Sequence, residues 1–213
     1  MESGPLERLL PLTGAVFAVF FAVAFFVAGE PVDVDASGAE VIAKYDDETK
    51  AYILLILMLI AAVGLMFFAG VLRSRLREAG WEPIATTAFG GAVVTSVALG
   101  IFGMMQIALV DASDLGEEQV AQALNIIDND NFLPALIGMT VMYLATGWHC
   151  VRSGVLPKWL AWLSVFLGVL CFAGPAGFVA FLAFPVWALI VSIVLFTRQS
   201  RVVAGPFGPT ATN

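Results

Sequence analysis

The feature that most constrains this chain is an uncharged run of 27 residues, from 84 to 110. A helix needs roughly 20 apolar residues to cross the hydrocarbon layer of a bilayer, so the run is long enough to span. Within it Ala88, Ala92, Ser96 and Gly100 recur at four-residue spacing and fall on one stripe of a helix. Small side chains in that pattern let helix backbones approach closely, which is how packing is achieved where water cannot drive it. The run is expected to be the central helix of a membrane bundle.

Five more apolar segments accompany it, so spans are expected at 9–28, 51–72, 84–110, 132–151, 159–173 and 177–197. As one straight helix, 159–197 would reach about 58 Å at 1.5 Å per residue. Gly174-Pro175-Ala176-Gly177 breaks it into a hairpin, and Pro185 predicts a kink in the last helix. The composition agrees: 60% of residues are hydrophobic and 13% charged, against about 25% charged in a soluble domain. The expected fold is all-α, a polytopic integral membrane bundle of six transmembrane helices. Residues 1–198 would form one transmembrane domain and 199–213 a flexible cytoplasmic tail.

Orientation follows from the basic residues, which favour the cytoplasmic side. Threading six spans puts Arg8, Arg73, Arg75, Arg77, Arg152, Lys158, Arg198 and Arg201 on one side and only Lys44 and Lys50 on the other. Thirteen of the 17 acids share the side of those two lysines, giving net −11 there and +4 opposite. Trp81, Trp148, Trp159 and Trp162 gather at the basic boundary as an aromatic belt. Both termini are therefore expected in the cytoplasm. Val27-Ala28-Gly29 has the small-residue pattern of a signal-peptidase site, but the apolar run before it exceeds a usual signal core and follows Glu2 and Glu7, so the first helix is expected to stay.

Two short amphipathic helices are expected in the outer loops. Ser37-Gly38-Ala39-Glu40 has capping-box spacing ahead of Val41, Ile42 and Tyr45. Asp114 and Glu117 repeat the spacing ahead of Val120, Leu124 and Ile127. Both helices would lie on the membrane surface and roof the apolar turn at 174–177. A weak repeat is also visible: Val34-Asp35-Ala36-Ser37 returns as Val110-Asp111-Ala112-Ser113, and Leu72-Arg73-Ser74 is echoed by Val151-Arg152-Ser153. The offsets of 76 and 79 residues fit a helical hairpin duplicated in parallel, as occurs in transporters.

At the fourth cytoplasmic junction, Arg152-Ser153-Gly154-Val155-Leu156-Pro157-Lys158-Trp159-Leu160-Ala161-Trp162-Leu163 resembles the hallmark of a broad group of uncharacterised bacterial six-helix membrane proteins, catalogued as a domain of unknown function. The opening Pro5-Leu6-Glu7-Arg8, the Ala39-Glu40-Val41 helix and the Asn129-Asp130-Asn131-Phe132-Leu133-Pro134 junction are similar too. The resemblance spans nearly all of 5–198. It implies the fold and a bacterial plasma membrane, and no activity.

Charge inside hydrocarbon would mark function, and the six apolar segments contain none. The milder polarity of Thr95, Ser96, Gln106, Thr140 and Tyr143 would line a small pocket for a lipophilic ligand; the plainer reading is interhelical hydrogen bonding, about 0.6 kcal/mol each. His149 stands without a sequence-adjacent acid or serine and is a poor general base. Cys150 and Cys171 are expected too far apart for a disulfide. No ligand spacing for zinc or haem occurs, so no metal and no cofactor is expected. Asp111, Asp128 and Asp130, with Asn129 and Asn131, offer oxygens to a hard cation but equally serve as helix caps. Nothing basic enough for nucleic acid is present. The expected partners are the lipid bilayer and other membrane proteins or a second copy of the chain. Three functions stay open: a non-catalytic accessory or interaction subunit with a lipophilic pocket, a small transporter or channel, and an intramembrane enzyme using His149, Cys150 or Tyr143.

Overall fold

The computed structural model describes residues 8–203, with side chains placed over 8–198. Among them every regular element is helical. In chain order these are α1 (Thr13–Ala28), entered through a 3-10 turn at Leu10–Leu12, α2 (Gly38–Lys44), α3 (Glu48–Glu78), α4 (Glu82–Asp114), α5 (Glu118–Asn129), α6 (Phe132–Ser153), α7 (Lys158–Leu170) and α8 (Gly177–Val203), with a second 3-10 turn at Gly174–Ala176. Residues 199–203 continue α8, and the rest of the expected tail lies outside the described residues.

Four helical stretches are long and apolar enough to cross a membrane: Leu10–Ala28, Glu48–Glu78, Glu82–Asp114 and Gly174–Arg198. The two other expected spans are formed as helices but differ in kind. α6 has 22 residues and carries Thr140, Tyr143, Thr146 and His149 in its interior. α7 has 13, which at 1.5 Å per residue is about 20 Å.

The packing runs α1–α3–α4–α6, α8 closes on α1 and α6, and α7 lies against α6 and α8. Where α4 meets α6, Gly91 and Gly138 abut: a Cβ on Gly91 would stand 2.6 Å from the Gly138 carbonyl oxygen, and one on Gly138 would stand 2.5 Å from that of Gly91. Only glycine leaves room for backbones this close. The small-residue stripe does a different job. Ala88 and Ala92 are buried, Ser96 donates to the Ala62 carbonyl of α3 at 3.3 Å, and a Cβ at Gly100 would touch nothing.

The α1–α3 pair is built alike. A Cβ on Gly64 would press on Phe17 N and Thr13 O; one on Gly138, 74 residues further on, would press on Thr95 N and Gly91 O, which lie 78 residues beyond Phe17 and Thr13. A glycine in the second helix of each pair thus meets the backbone of the first.

Aromatic rings fill the meeting of α1, α6 and α8. Tyr143 lies edge-on to Phe184 (5.4 Å) and Trp187 (5.1 Å), and Phe17 is edge-on to Phe184 at 5.5 Å. Such pairs add about 0.5–1.5 kcal/mol beyond area burial. Pro185 stands inside α8 and cannot donate to the Phe181 carbonyl; one residue earlier, the Ala180 carbonyl accepts from the Tyr143 hydroxyl at 3.0 Å.

Arg73, Arg152 and Arg198 gather at one end. Arg73 pairs with Glu82 at 2.7 Å, and Arg152 lies over Trp81 (5.4 Å) and Trp148 (4.6 Å). α6 ends at Gly154, whose φ of 71° is the left-handed conformation a helix C-terminus favours. Arg198 reaches back from α8 to the Gly154 carbonyl at 3.0 Å and also to that of Val155.

The opposite end carries α2 and α5. Ser37 and Glu40 form the expected capping box, with Glu40 Oε2 accepting from Ser37 N at 2.8 Å. The second capping signal is not realised: Asp114 ends α4, and Glu117 precedes α5 without a side-chain cap. Nor are α2 and α5 built around the 174–177 turn. They pack mainly on each other and on the end of α4, through a small core of Val41, Leu109, Ala112 and Ala121. Of the apolar line expected on α5, Leu124 packs against this small core, but the buried face is turned about one residue round from it. Ala121 and Asn125 are buried, whereas Val120 and Ile127 are exposed. The reason lies in hydrogen bonding. Gln122, Asn125 and Asn129 donate side-chain amides to the carbonyls of Ala36 (3.1 Å), Asp33 (2.9 Å) and Val32 (3.0 Å), giving loop carbonyls the partners they need away from water.

Candidate ligand cavity beneath α5

Below α5 a cavity of about 150 Å³ opens between α1, α3, α4, α6 and α8. Its wall is aromatic. Phe21, Phe132, Phe178 and Phe181 form a connected set of rings, with Phe21 to Phe181 at 5.6 Å and Phe132 to Phe178 at 5.5 Å. Leu54, Met58, Leu99 and Phe102 continue the apolar lining from α3 and α4. These rows point inward because each helix turns a face of large apolar side chains toward its neighbours.

The roof and rim are polar. Asp47 caps α3 by accepting from Lys50 N at 3.0 Å. One turn in, Lys50 Nζ donates to the Ala28 carbonyl at 3.2 Å, satisfying an end carbonyl of α1 with a cation placed where the helix dipole favours it. Lys44, Asp47 and Glu30 edge the opening. Above, the amide bonds from α5 to residues 32–36 hold Asp128 over the cavity, where its Oδ2 accepts from Gln106 Nε2 at 3.1 Å.

Burial pushes the Asp128 carboxyl above its usual range, while the side chains of Asn131, Gln106 and Tyr45 pull it back. Of those three, Gln106 makes the hydrogen bond of full geometry; Asp128 Oδ1 and Asn131 Nδ2 are both buried without one. Burial first, then the adjacent Asp128 charge, push the Tyr45 phenol up to about 12. The roof is thus a cluster whose members stabilise one another's neutral or hydrogen-bonded forms in poor contact with water.

Of the five pocket residues expected from sequence, Gln106 lines this cavity. The other four lie elsewhere and their hydroxyls bond to backbone. Thr95 donates to Gly91 O at 3.0 Å and Thr140 to Leu136 O at 2.7 Å, each one turn back in its own helix. Ser96 faces α3 and Tyr143 faces α8. His149 is buried next to Trp81, with ring centroids 6.3 Å apart, and Cys150 and Cys171 are both free and buried.

Sequence reasoning passed over Tyr45, Lys50 and the inward turn of Asp128. A signal existed in α5: Gln122, Asn125 and Asn129 make a stripe of amides that Asp128 borders. Side chains of that kind seek backbone partners. Among the described residues no three His, Cys, Asp or Glu side chains are grouped to hold a metal ion; Asp111 and Asp130 are exposed and Asp128 alone turns in.

An all-helical, membrane-like bundle with an amphipathic cavity at one end is the class these features define. The chain belongs to the family described as Domain of unknown function (DUF4386), whose model matches residues 12–202. No match is found among curated proteins or among solved structures.

Proposed function

We propose that this chain is a six-span protein of the bacterial plasma membrane, with both termini cytoplasmic, that binds a small lipophilic molecule in its extracytoplasmic cavity and serves as a non-catalytic accessory or interaction subunit. The observation that carries the reading is the cavity beneath α5, with apolar walls and a few polar groups converging on one side, the usual make-up of a small-molecule site. The orientation is supported by the gathering of arginines at the other end.

The two spans beyond the four long helices, fourth and fifth in chain order, would be α6 and α7. Both expose large apolar side chains suited to lipid: Ile137 on α6, and Phe166 and Val169 on α7. In hydrocarbon, helices satisfy their own backbone, so a diluted or short helix still fits when its neighbours cover its polar side chains. A polar route past Ser96 and Thr140, as transport would need, finds both hydroxyls already engaged by carbonyls.

Photolabelling tests the site. The protein in lipid nanodiscs is irradiated with a short alkyl diazirine, and the labelled residues are mapped by mass spectrometry. Labelling centred on Phe21, Phe102 and Phe181 and competed by unlabelled alkane is the expected result. Labels scattered over the lipid face with no competition would overturn the reading.

A further inference from the structure

Two lysines set the mouth of the cavity apart from the face around it. The segments at that end of the bundle, 29–50 and 111–131, hold 13 acids and only two basic residues, Lys44 and Lys50. Both line the cavity, together with Glu30 and Asp47. Acids are what any part of so acidic a face would supply; both of its cations at one opening are not. Among the described residues none of these four side chains takes part in an ion pair. Lys50 gives one of its three N–H donors to the Ala28 carbonyl at 3.2 Å, and Asp47 keeps a second oxygen beyond the one that caps α3. The mouth therefore holds two charges of each sign, not paired with one another, above an apolar hollow.

We propose that the cavity takes a single-chain zwitterionic phospholipid, its phosphate at Lys44 and Lys50, its ammonium at Glu30 and Asp47, and its alkyl chain in the hollow below. The inference rests on the reading of the cavity as a ligand site and names the ligand class. A purely anionic head would answer the lysines but meet two carboxylates and the acidic face around them. A cationic head would answer the acids and meet the lysines. A head bearing both signs finds a counter-charge for each and brings no net charge to the face. Size decides the number of chains. An engineered apolar cavity of about 150 Å³ holds benzene, so this hollow admits part of one alkyl chain and not two. Phe25 of α1 and Phe178 of α8 line it and are also 40% and 38% exposed, so at that level the wall meets the surrounding lipid, where the rest of the chain stays.

Three lipids with the same acyl chain separate the charges. Lysophosphatidylethanolamine carries both, lysophosphatidylglycerol the phosphate alone, and monoacylglycerol neither. Each is used to compete with the alkyl diazirine for the cavity of the full chain, at equal concentration in nanodiscs of phosphatidylglycerol, whose bulk lipid is not zwitterionic.

The zwitterion is expected to compete about 2- to 10-fold better than either of the others, the range two surface ion pairs supply. Lys44→Gln with Lys50→Gln should bring it down to monoacylglycerol, which itself competes as before. Because Lys50 also secures the end of α1, Lys44→Gln alone serves as a second variant and should give part of that fall. Glu30→Gln with Asp47→Asn should lift the anionic lipid to the level of the zwitterion, and asparagine keeps the cap of α3. Neutralising two acids of the same face away from the mouth, Asp114→Asn with Glu117→Gln, should leave the order unchanged. Equal competition by zwitterion and anion, or by all three lipids, at a labelled cavity would overturn zwitterion selection and leave the cavity reading standing. So would a distant acid pair acting like the pair at the mouth, since the charge of the whole face would then govern. Failure of the diazirine to label the cavity at all would overturn both.

Discussion

Gly138 of α6 lies so close to Gly91 of α4 that a Cβ on either would intrude on the other's carbonyl oxygen. The contact brings two helix backbones together, and its tightness makes it sensitive to a single methyl group. Overpacking of this kind costs about 1–3 kcal/mol. Gly138→Ala and Gly91→Ala should lower stability by that amount, read as a shift in unfolding midpoint in mild detergent. Gly90 and Gly100 sit on the same helix with open space around the position of a Cβ, so alanine there should be neutral or slightly stabilising. Equal effects at all four sites would show that helix propensity governs instead of the contact.

Ser164 accepts from Trp187 Nε1 at 2.7 Å while donating to the Leu160 carbonyl at 2.8 Å. Both side chains are buried. Ser164→Ala strands the indole N–H in the α7–α8 interface, a loss of about 1–3 kcal/mol. Ser164→Thr keeps the acceptor and should lose less. Thermal unfolding followed by tryptophan fluorescence checks the order.

Asp128 gives the roof a pH dependence with a definite sign. Its folded-state pKa is raised above the ordinary 3.8 by burial, so the folded chain binds the proton more tightly than the unfolded one. Its contribution is fully present below that ordinary value and declines as pH rises through the raised one. Asp128→Asn should therefore flatten the loss of stability on the alkaline side of that transition. Glu40 has the opposite sign. Its capping-box bonds to Ser37 lower its pKa below the ordinary 4.5, and its contribution is present above that value and lost as pH falls through the lowered one. Melting curves of Asp128→Asn and Glu40→Gln across the acidic range should thus deviate from the parent in opposite directions.

Sidedness can be read with thiols, because Cys150 and Cys171 are both buried and leave a low background. A cysteine replacing exposed Asp114 should react with a membrane-impermeant maleimide in intact cells. One replacing exposed Ala79 should react only after the cells are opened. The reverse pattern would invert the proposed topology.

What could be read from sequence depended on how local the cause was. The helices were legible because each is set by its own apolar run, and the Ser37 box because cap and partner stand three residues apart. The inward face of α5 was not, since the carbonyls that claim Asn125 and Asn129 lie in residues 32 and 33, far back in the chain. Apolar periodicity marks Val120, Leu124 and Ile127, of which Leu124 alone packs on the core while the other two are exposed. The tight α4–α6 contact escaped a search for stripes because it needs one glycine on each helix. A helical threonine readily bonds the carbonyl one turn back; Thr95 and Thr140 both do so, which keeps their hydroxyls out of the cavity. The cavity's polar side combines Gln106 from α4, Asp128 from α5 and Asn131 at the start of α6, and no spacing in the sequence announces that meeting.

The stitching of α5 to residues 32–36 has a chemical consequence. Its three ties all run through primary amides, the side-chain groups that slowly hydrolyse to acids in stored protein. Such a conversion at Gln122, Asn125 or Asn129 exchanges an N–H donor for a carboxylate that can only accept, aimed at a carbonyl that can only accept as well. Chemical ageing would thus loosen the cover of the hollow while sparing the glycine-packed helices beneath it.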